Sequence, residues 1–357
     1  MLNSLEIRNY RSLEHLRIDK VGRVNLILGK NNTGKTSVLE ALVLFFSYDN
    51  LDFFGWVDRF LNFRGENLVE GIEFDKQEQA ISSLFYKKKF SYFDDTLSIK
   101  IGEVNNISPL TIRLVKVTYN KDGAIQIATS QEEIGGNAFT VELLGQKDEN
   151  DFISLILSEK VYRRRLSREF LRFPFGLVSS GIINAPDNGT LWDKVALRTE
   201  KRKKVFEALK IIQPQISNLH FEGGLKPYVL LEGEDEPVPL RSMGDGINRI
   251  LTIILAMVNC ENGYLLIDEF ENGLHYSVQE KLWEIIFHLA ERLNVQVFAT
   301  THSYDCIDAF SEVLNGGKYS KDSGVMIRLD NYENNIEATV YDANEIQNTT
   351  RLHVDPR

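Results

Sequence analysis

Only two cysteines, Cys260 and Cys306, stand among 357 residues, too few for a disulfide framework or a four-cysteine zinc site. A reducing compartment fits this usage, and a cytoplasmic location is expected. Long apolar runs are missing too. Residues 41–46 and 250–258 fall far short of the roughly 20 residues that cross a bilayer, and the opening MLNSLEIRNYRSLEH has no apolar centre like that of a secretion signal. No membrane partner is therefore expected. Nor is there an excess of positive charge: 41 lysines and arginines face 51 acidic residues, a net charge of −10. No global field draws in nucleic acid or anionic lipid, so a polyanion must be met by a local patch. Internal repeats and low-complexity tracts are also lacking. What remains is a chain with 43% hydrophobic residues, enough to fill the core of one large domain or two ordinary ones.

The patterning is that of alternating strands and helices. Residues 1–28 alternate apolar and polar side chains, with Leu5, Ile7, Val24, Leu26 and Leu28 on the apolar beat, which predicts strands. From Thr36, TSVLEALVLFF places Val38, Leu39, Leu42, Val43 and Phe46 at steps of three and four, which predicts a helix burying one face. Between 48 and 150, runs such as ISSLFYKKKFSYF, TIRLVKVTYN and FTVELLG predict an antiparallel sheet. Residues 151–210 read as mostly helical, and 226–240 as a hairpin with the acidic tip GEDE. From 246 onward helix, strand (264–267), helix (277–293) and strand (295–300) alternate, as in a parallel sheet covered by helices. Residues 324–342 predict a terminal hairpin.

Four short segments carry chemistry. The first, Gly29-Lys-Asn31-Asn32-Thr33-Gly34-Lys35-Thr36, matches GxxxxGK[ST] between a predicted strand and a predicted helix. Its glycines let the backbone wrap an anion, Lys35 adds charge for the β- and γ-phosphates, and Thr36 offers a hydroxyl to Mg²⁺, with Ser37 beside it. In the second, Tyr264-Leu-Leu-Ile-Asp268-Glu269, a buried strand aims two carboxylates at a ligand. Asp268 would hold Mg²⁺ and Glu269 would orient or deprotonate the attacking water. In the third, a strand ending Ala-Thr-Thr301-His302 brings His302 to the γ-phosphate from the adjacent parallel strand. The fourth, Leu240-Arg-Ser242-Met-Gly244-Asp245-Gly246, precedes an apolar helix. It reads either as a second anion site at a helix N-terminus or as a simple cap by Ser242 or Asp245.

The expected fold is α/β: a P-loop NTPase of ABC-ATPase type with a mixed, mainly parallel core sheet. Residues 1–50 form a lobe with the P-loop, 51–150 an antiparallel β-subdomain, 151–235 a mainly helical insertion ending in a hairpin, and 236–357 the lobe with the remaining motifs. GKNNTGKT, LRSMGDG, LLIDEFENGLH and FATTH together resemble the ordered motif set of ABC-type ATPases, above all the soluble branch around the overcoming-lysogenisation-defect (OLD) family. The likeness spans nearly the whole chain. It implies ATP and Mg²⁺ as ligands and a dimer in which Ser242, Gly244, Asp245 and Gly246 cap the ATP held by the partner copy. It also implies that Arg11, in Asn9-Tyr10-Arg11-Ser12, lies beside the nucleotide and that Asn272, Gly273 and His275 form a D-loop.

Two departures from transporter subunits, SMGDG for SGGQ and His275 for Asp, resemble the OLD-like branch. No Q-loop residue is assigned; Gln77 and Gln79 are the candidates. Many OLD-family members carry a Toprim nuclease, for which the residues after His302 are too few, so a separately encoded nuclease or other effector is expected. The string Asn120-Lys-Asp-Gly123 misses the guanine-reading NKxD pattern, which favours adenine.

One stripe stands apart. In residues 158–173, Lys160, Arg164, Arg168 and Arg172 recur every four positions beside Tyr162, Leu166, Phe170 and Phe173, which predicts a basic amphipathic helix. It would either clamp DNA phosphates or pair with this chain's surplus acids. The motifs point to an ATPase, and the resemblance implies that it dimerises and switches a DNA-directed or antiviral complex. The nucleotide-binding subunit of a membrane transporter and a non-hydrolysing ATP switch are the rivals.

Overall fold

The computed structural model describes residues 1–48, 52–66, 74–119, 125–135, 138–148, 151–157, 161–165, 173–179, 188–223, 226–244, 246–333 and 335–351. Its centre is a six-stranded sheet in the order Phe175–Val178, Tyr264–Ile267, Gln296–Thr301, Val24–Leu28, Gly324–Tyr332, Asn335–Tyr341. The first five strands run parallel, and the sixth returns antiparallel as a hairpin. Every residue of Tyr264–Ile267, Gln296–Thr301 and Val24–Leu28 is buried. Such burial on both faces is what a central parallel sheet imposes, and it accounts for the mainly apolar composition of these strands. The one polar residue inside the phosphate-loop strand, Asn25, is satisfied by bonds to Gly22 and to Val297 O, as burial requires.

Alternate side chains feed two cores. Leu26, Leu28, Leu265, Ile267 and Val297 pack with the helices Gly246–Asn259, Tyr276–Arg292 and Tyr304–Asn315, where Trp283 stacks on Phe270 at 4.1 Å. Ile27, Leu266, Phe298 and Ile327 pack with the helix Lys35–Ser47 and with a second, wholly antiparallel sheet. That sheet runs Leu13–Ile18, Leu5–Tyr10, Ile99–Gly102, Leu110–Tyr119, Phe139–Asp148, Asp151–Ile156, Val161–Arg165, with Ile125–Ile127 added on Leu110–Tyr119. A small third sheet joins Ile216–Glu222, Lys226–Leu231 and Val238–Pro239, the last two forming the hairpin that carries the exposed acidic tip.

Three stretches depart from the sequence reading. Residues 51–150 include the helices Phe53–Phe63 and Phe74–Ser82, the second of which takes up the start of the ISSLF run. Phe53, Val57, Phe60 and Leu61 have helical spacing and are buried together, although their aromatic character favours strands. The region read as mostly helical opens with strands, Asp151–Ile156, Val161–Arg165 and Phe175–Val178, and becomes helical only at Asn188–Ala196 and Thr199–Ile212.

The predicted basic helix is therefore corrected. Val161–Arg165 pairs antiparallel with Asp151–Ile156, Tyr162 stacks on Phe54, and Arg163 reaches the buried Glu142 at 2.9 Å. Strand pairing with the apolar Asp151–Ile156 edge overrides the four-residue basic spacing. Arg164 lies on this strand, whereas Lys160, Arg168 and Arg172 lie outside the described residues.

Candidate active site

The phosphate loop leaves the strand Val24–Leu28 and enters the helix Lys35–Ser47. Glycine is required at both ends of it. Gly29 and Gly34 have φ of 149° and 84°, angles that side chains rarely adopt. A Cβ at Gly29 would meet Leu329 O at 2.5 Å, and one at Gly34 would meet the Leu13 side chain at 2.9 Å. Lys35 Nζ donates to Gly29 O (2.7 Å) and Lys30 O (3.0 Å). Burial pulls its pKa down, opposed by the carboxylates of Asp268, Glu271 and Glu269.

The strand Tyr264–Ile267 delivers Asp268 and Glu269 opposite this loop. Thr300, from the adjacent parallel strand, donates its hydroxyl to Asp268 Oδ1 (2.7 Å) and accepts the Glu269 N–H (2.9 Å). Burial raises the Asp268 pKa, and the Thr300 bond partly offsets it. Glu269 sits at φ 48°, a left-handed conformation that strains a non-glycine backbone. Its turn is held from below: Arg249 Nη2, on the helix Gly246–Asn259, donates to Asp268 O (2.8 Å) and Glu269 O (2.9 Å).

His302 is fixed in the same way. Glu271 faces His302 Nδ1 at 2.9 Å and accepts from the His302 N–H (2.9 Å) and the Thr301 hydroxyl (2.7 Å). Residues 31–37, Asp268, Glu269 and His302 therefore line one cleft of about 600 Å³, with Gly29 at the base of its loop. Ser12, Arg64, Thr300 and Thr301 line it too. The oxygen donors Thr36 and Asp268 suit a hard cation. Among the described residues no group of three or more His, Cys, Asp or Glu could hold a metal, so an ion here would complete its shell with phosphate oxygens and water, as Mg²⁺ does.

Other expected residues lie elsewhere. Arg11 does not line the cleft. Its guanidinium is buried against Glu40 (3.4 Å) and Glu66 (3.2 Å) and donates to Ser83 and Phe60 O. The reason is that the apolar floor of that region admits a cation only where carboxylates and carbonyls converge.

Ser242 sits in a 3-10 turn, its hydroxyl bonded to Pro239 O. Gly244 adopts φ 116°, and Gly246 begins its helix against Gly273 O, where a Cβ would come within 3.1 Å. None of these three lines the cleft of its own chain, and Asp245 lies outside the described residues. Asn272 Nδ2 approaches Glu269 Oε2 at 3.4 Å, and His275 caps the helix Tyr276–Arg292 through Ser277.

Sequence reasoning missed Arg64, Glu271 and Arg249. Arg64 follows a helix that was not expected and reaches the buried Glu40 at 3.0 Å. Arg249 did carry a signal, as the only charged residue in GINRILTIILAMVN.

Against known families, residues 24–308 match the model described as "AAA domain, putative AbiEii toxin, Type IV TA system". The chain belongs to this AAA family. It is a P-loop ATPase. An "ATP/GTP phosphatase" of Helicobacter pylori is 22% identical to it over 337 residues, 88% of each chain. An uncharacterized protein of Methanocaldococcus jannaschii is 27% identical over 211 residues, covering 57% of this AAA chain and 88% of its own. Among solved structures, an Smc head bound to the C-terminal winged-helix domain of ScpA is 12% identical over 96% of this chain and 97% of that one, with a TM-score of 0.49. No helix among the described residues is long and apolar enough to cross a membrane.

Proposed function

We propose that two copies of the chain close on two molecules of Mg²⁺–ATP and that hydrolysis reopens them. The supporting observation is a division of labour. The P-loop, Asp268, Glu269 and His302 share one cleft, while Ser242, Gly244 and Gly246, from the candidate second anion site, do not line it. A segment unused by its own nucleotide is suited to cap a partner's. In the proposed cycle Lys35 exchanges the carbonyls of Gly29 and Lys30 for the β- and γ-phosphates. Thr36 and Asp268 would hold Mg²⁺, which supplies charge neutralisation on the phosphate oxygens when bound. Glu269 accepts the proton of the attacking water, and His302, steadied by Glu271, contacts the γ-phosphate. Arg249 ties the capping helix of one site to the Glu269 turn of the same chain.

The relative named an ATP/GTP phosphatase supports nucleotide hydrolysis and leaves both purines as substrates to compare. The motif likeness to the OLD branch supports a switch within a cytoplasmic DNA-related or antiviral complex whose effector is encoded separately. Glu269→Gln tests the core of this reading. A lost general base costs about 10²–10⁴-fold in turnover, roughly 3–5 kcal/mol, so phosphate release should collapse. ATP binding should persist, and light scattering should show an accumulated dimer. Turnover at the wild-type rate would remove Glu269 from the role.

A further inference from the structure

A cavity larger than the nucleotide cleft lies apart from it. It holds about 960 Å³ at the outer edge of the core sheet and shares no lining residue with that cleft. We propose that it binds an alkyl anion, a small molecule with a hydrocarbon body and one anionic head.

The body follows from the walls. Phe46 stacks on Tyr264 at 3.8 Å, with Phe175 and Phe173 at 6.3 and 5.9 Å completing an aromatic side. Leu177 and Ala256 form part of the opposite wall. The uncharged polar side chains of its wall, Asn259 and Thr252, are already engaged. Asn259 Nδ2 donates to Leu191 O and Leu255 O, and Thr252 Oγ1 lies within hydrogen-bond distance of Asn188 Oδ1 and Asn248 O, donating to one of them. Burial pushes the Cys260 thiol up to about 12, so it stays neutral. A nucleobase here would bury its polar edge with little to pair it, a loss that a hydrocarbon does not suffer.

The head follows from the rim. Lys194 and Arg198 are exposed, four positions apart, and neither forms an ion pair among the described residues. Lys201, in the first turn of the helix Thr199–Ile212, lends its amine to Val258 O at 3.2 Å, and burial lowers its pKa, a cost that a bound anion would offset. Glu103 is the only carboxylate among the described lining residues. Such a basic rim on a chain of net charge −10 is complementary to an anion.

Calorimetric titration of the full chain with dodecanoate, and in parallel with dodecyl phosphate, tests this without nucleotide. One saturable site is expected, the tighter of the two compounds identifying the head. Affinity should rise about fourfold per methylene from octanoate to dodecanoate, the increment for burying one CH₂. Lys194→Glu combined with Arg198→Glu should weaken binding at least tenfold, and Lys35→Ala should leave it unchanged. Unsaturable or absent binding would overturn the proposal. So would equal affinity in the charge-reversed variant, displacement by AMP or inorganic phosphate, or loss of the site in Lys35→Ala.

Discussion

Arg11 shows how the same residue type serves structure or ligand according to what surrounds it. Its side chain is 5% exposed and faces Glu40, itself 1% exposed, while Arg64, bound to the other oxygen of Glu40, opens onto the nucleotide cleft. Replacing Arg11 with methionine would leave a buried carboxylate held only by Arg64 and the Tyr10 hydroxyl. The expected loss is about 3 kcal/mol of stability, read as a lower urea midpoint, with ATP affinity within about threefold of wild type, since Arg11 makes no wall of the site. A large loss of ATP affinity at unchanged stability would return Arg11 to the nucleotide. The sequence could not separate the two arginines, because two of the partners that hold Arg11, Glu66 and Ser83, lie more than fifty positions away. The phosphate loop posed no such difficulty: its chemistry is complete within eight consecutive residues.

Among elements, the helix Gly246–Asn259 does two jobs. Its first residue packs against Gly273, and its single charged side chain, Arg249, holds the carbonyls of Asp268 and Glu269. Arg249→Met keeps the helix amphipathic and removes only that clamp. Because Glu269 occupies a strained backbone turn, its carboxylate should drift, and misplacement by about 1 Å costs on the order of 100-fold in rate. Steady-state turnover should therefore fall at least tenfold while ATP binding by titration changes little; parallel losses in both would argue for general unfolding instead. The strand–helix alternation after residue 246 was readable because each motif-bearing strand has an apolar centre and each helix is periodic. Val161–Arg165 was not, since a basic four-residue spacing carries no information about the Asp151–Ile156 edge that captures it.

At the scale of the whole molecule, the sandwich predicts complementation. Ser242→Arg and Lys35→Ala should each be inactive alone, the first lacking the cap and the second the phosphate lysine. Mixed with ATP, they should regain part of the phosphate release through heterodimers that combine one intact loop with one intact cap. Continued inactivity of the mixture, with both variants folded by circular dichroism, would argue against sharing in trans. The split of the core sheet across distant segments was legible from two motif-bearing strands with an insertion between them. What the insertion builds, five strands that extend Leu5–Tyr10 and Leu13–Ile18 into a seven-strand antiparallel path, was less so, because register between strands depends on partners no local pattern specifies.

The strand Val24–Leu28 lies between Gln296–Thr301 and Gly324–Tyr332. A ribosome delivers that strand early and both of its hydrogen-bonding neighbours late. Through most of synthesis the nascent chain therefore carries an apolar segment with both edges unpaired, the state most prone to sticking to other chains. Nucleotide cannot reward folding until residues beyond 324 have emerged. Interrupted translation of this protein should yield aggregates for disposal, not a partly working enzyme.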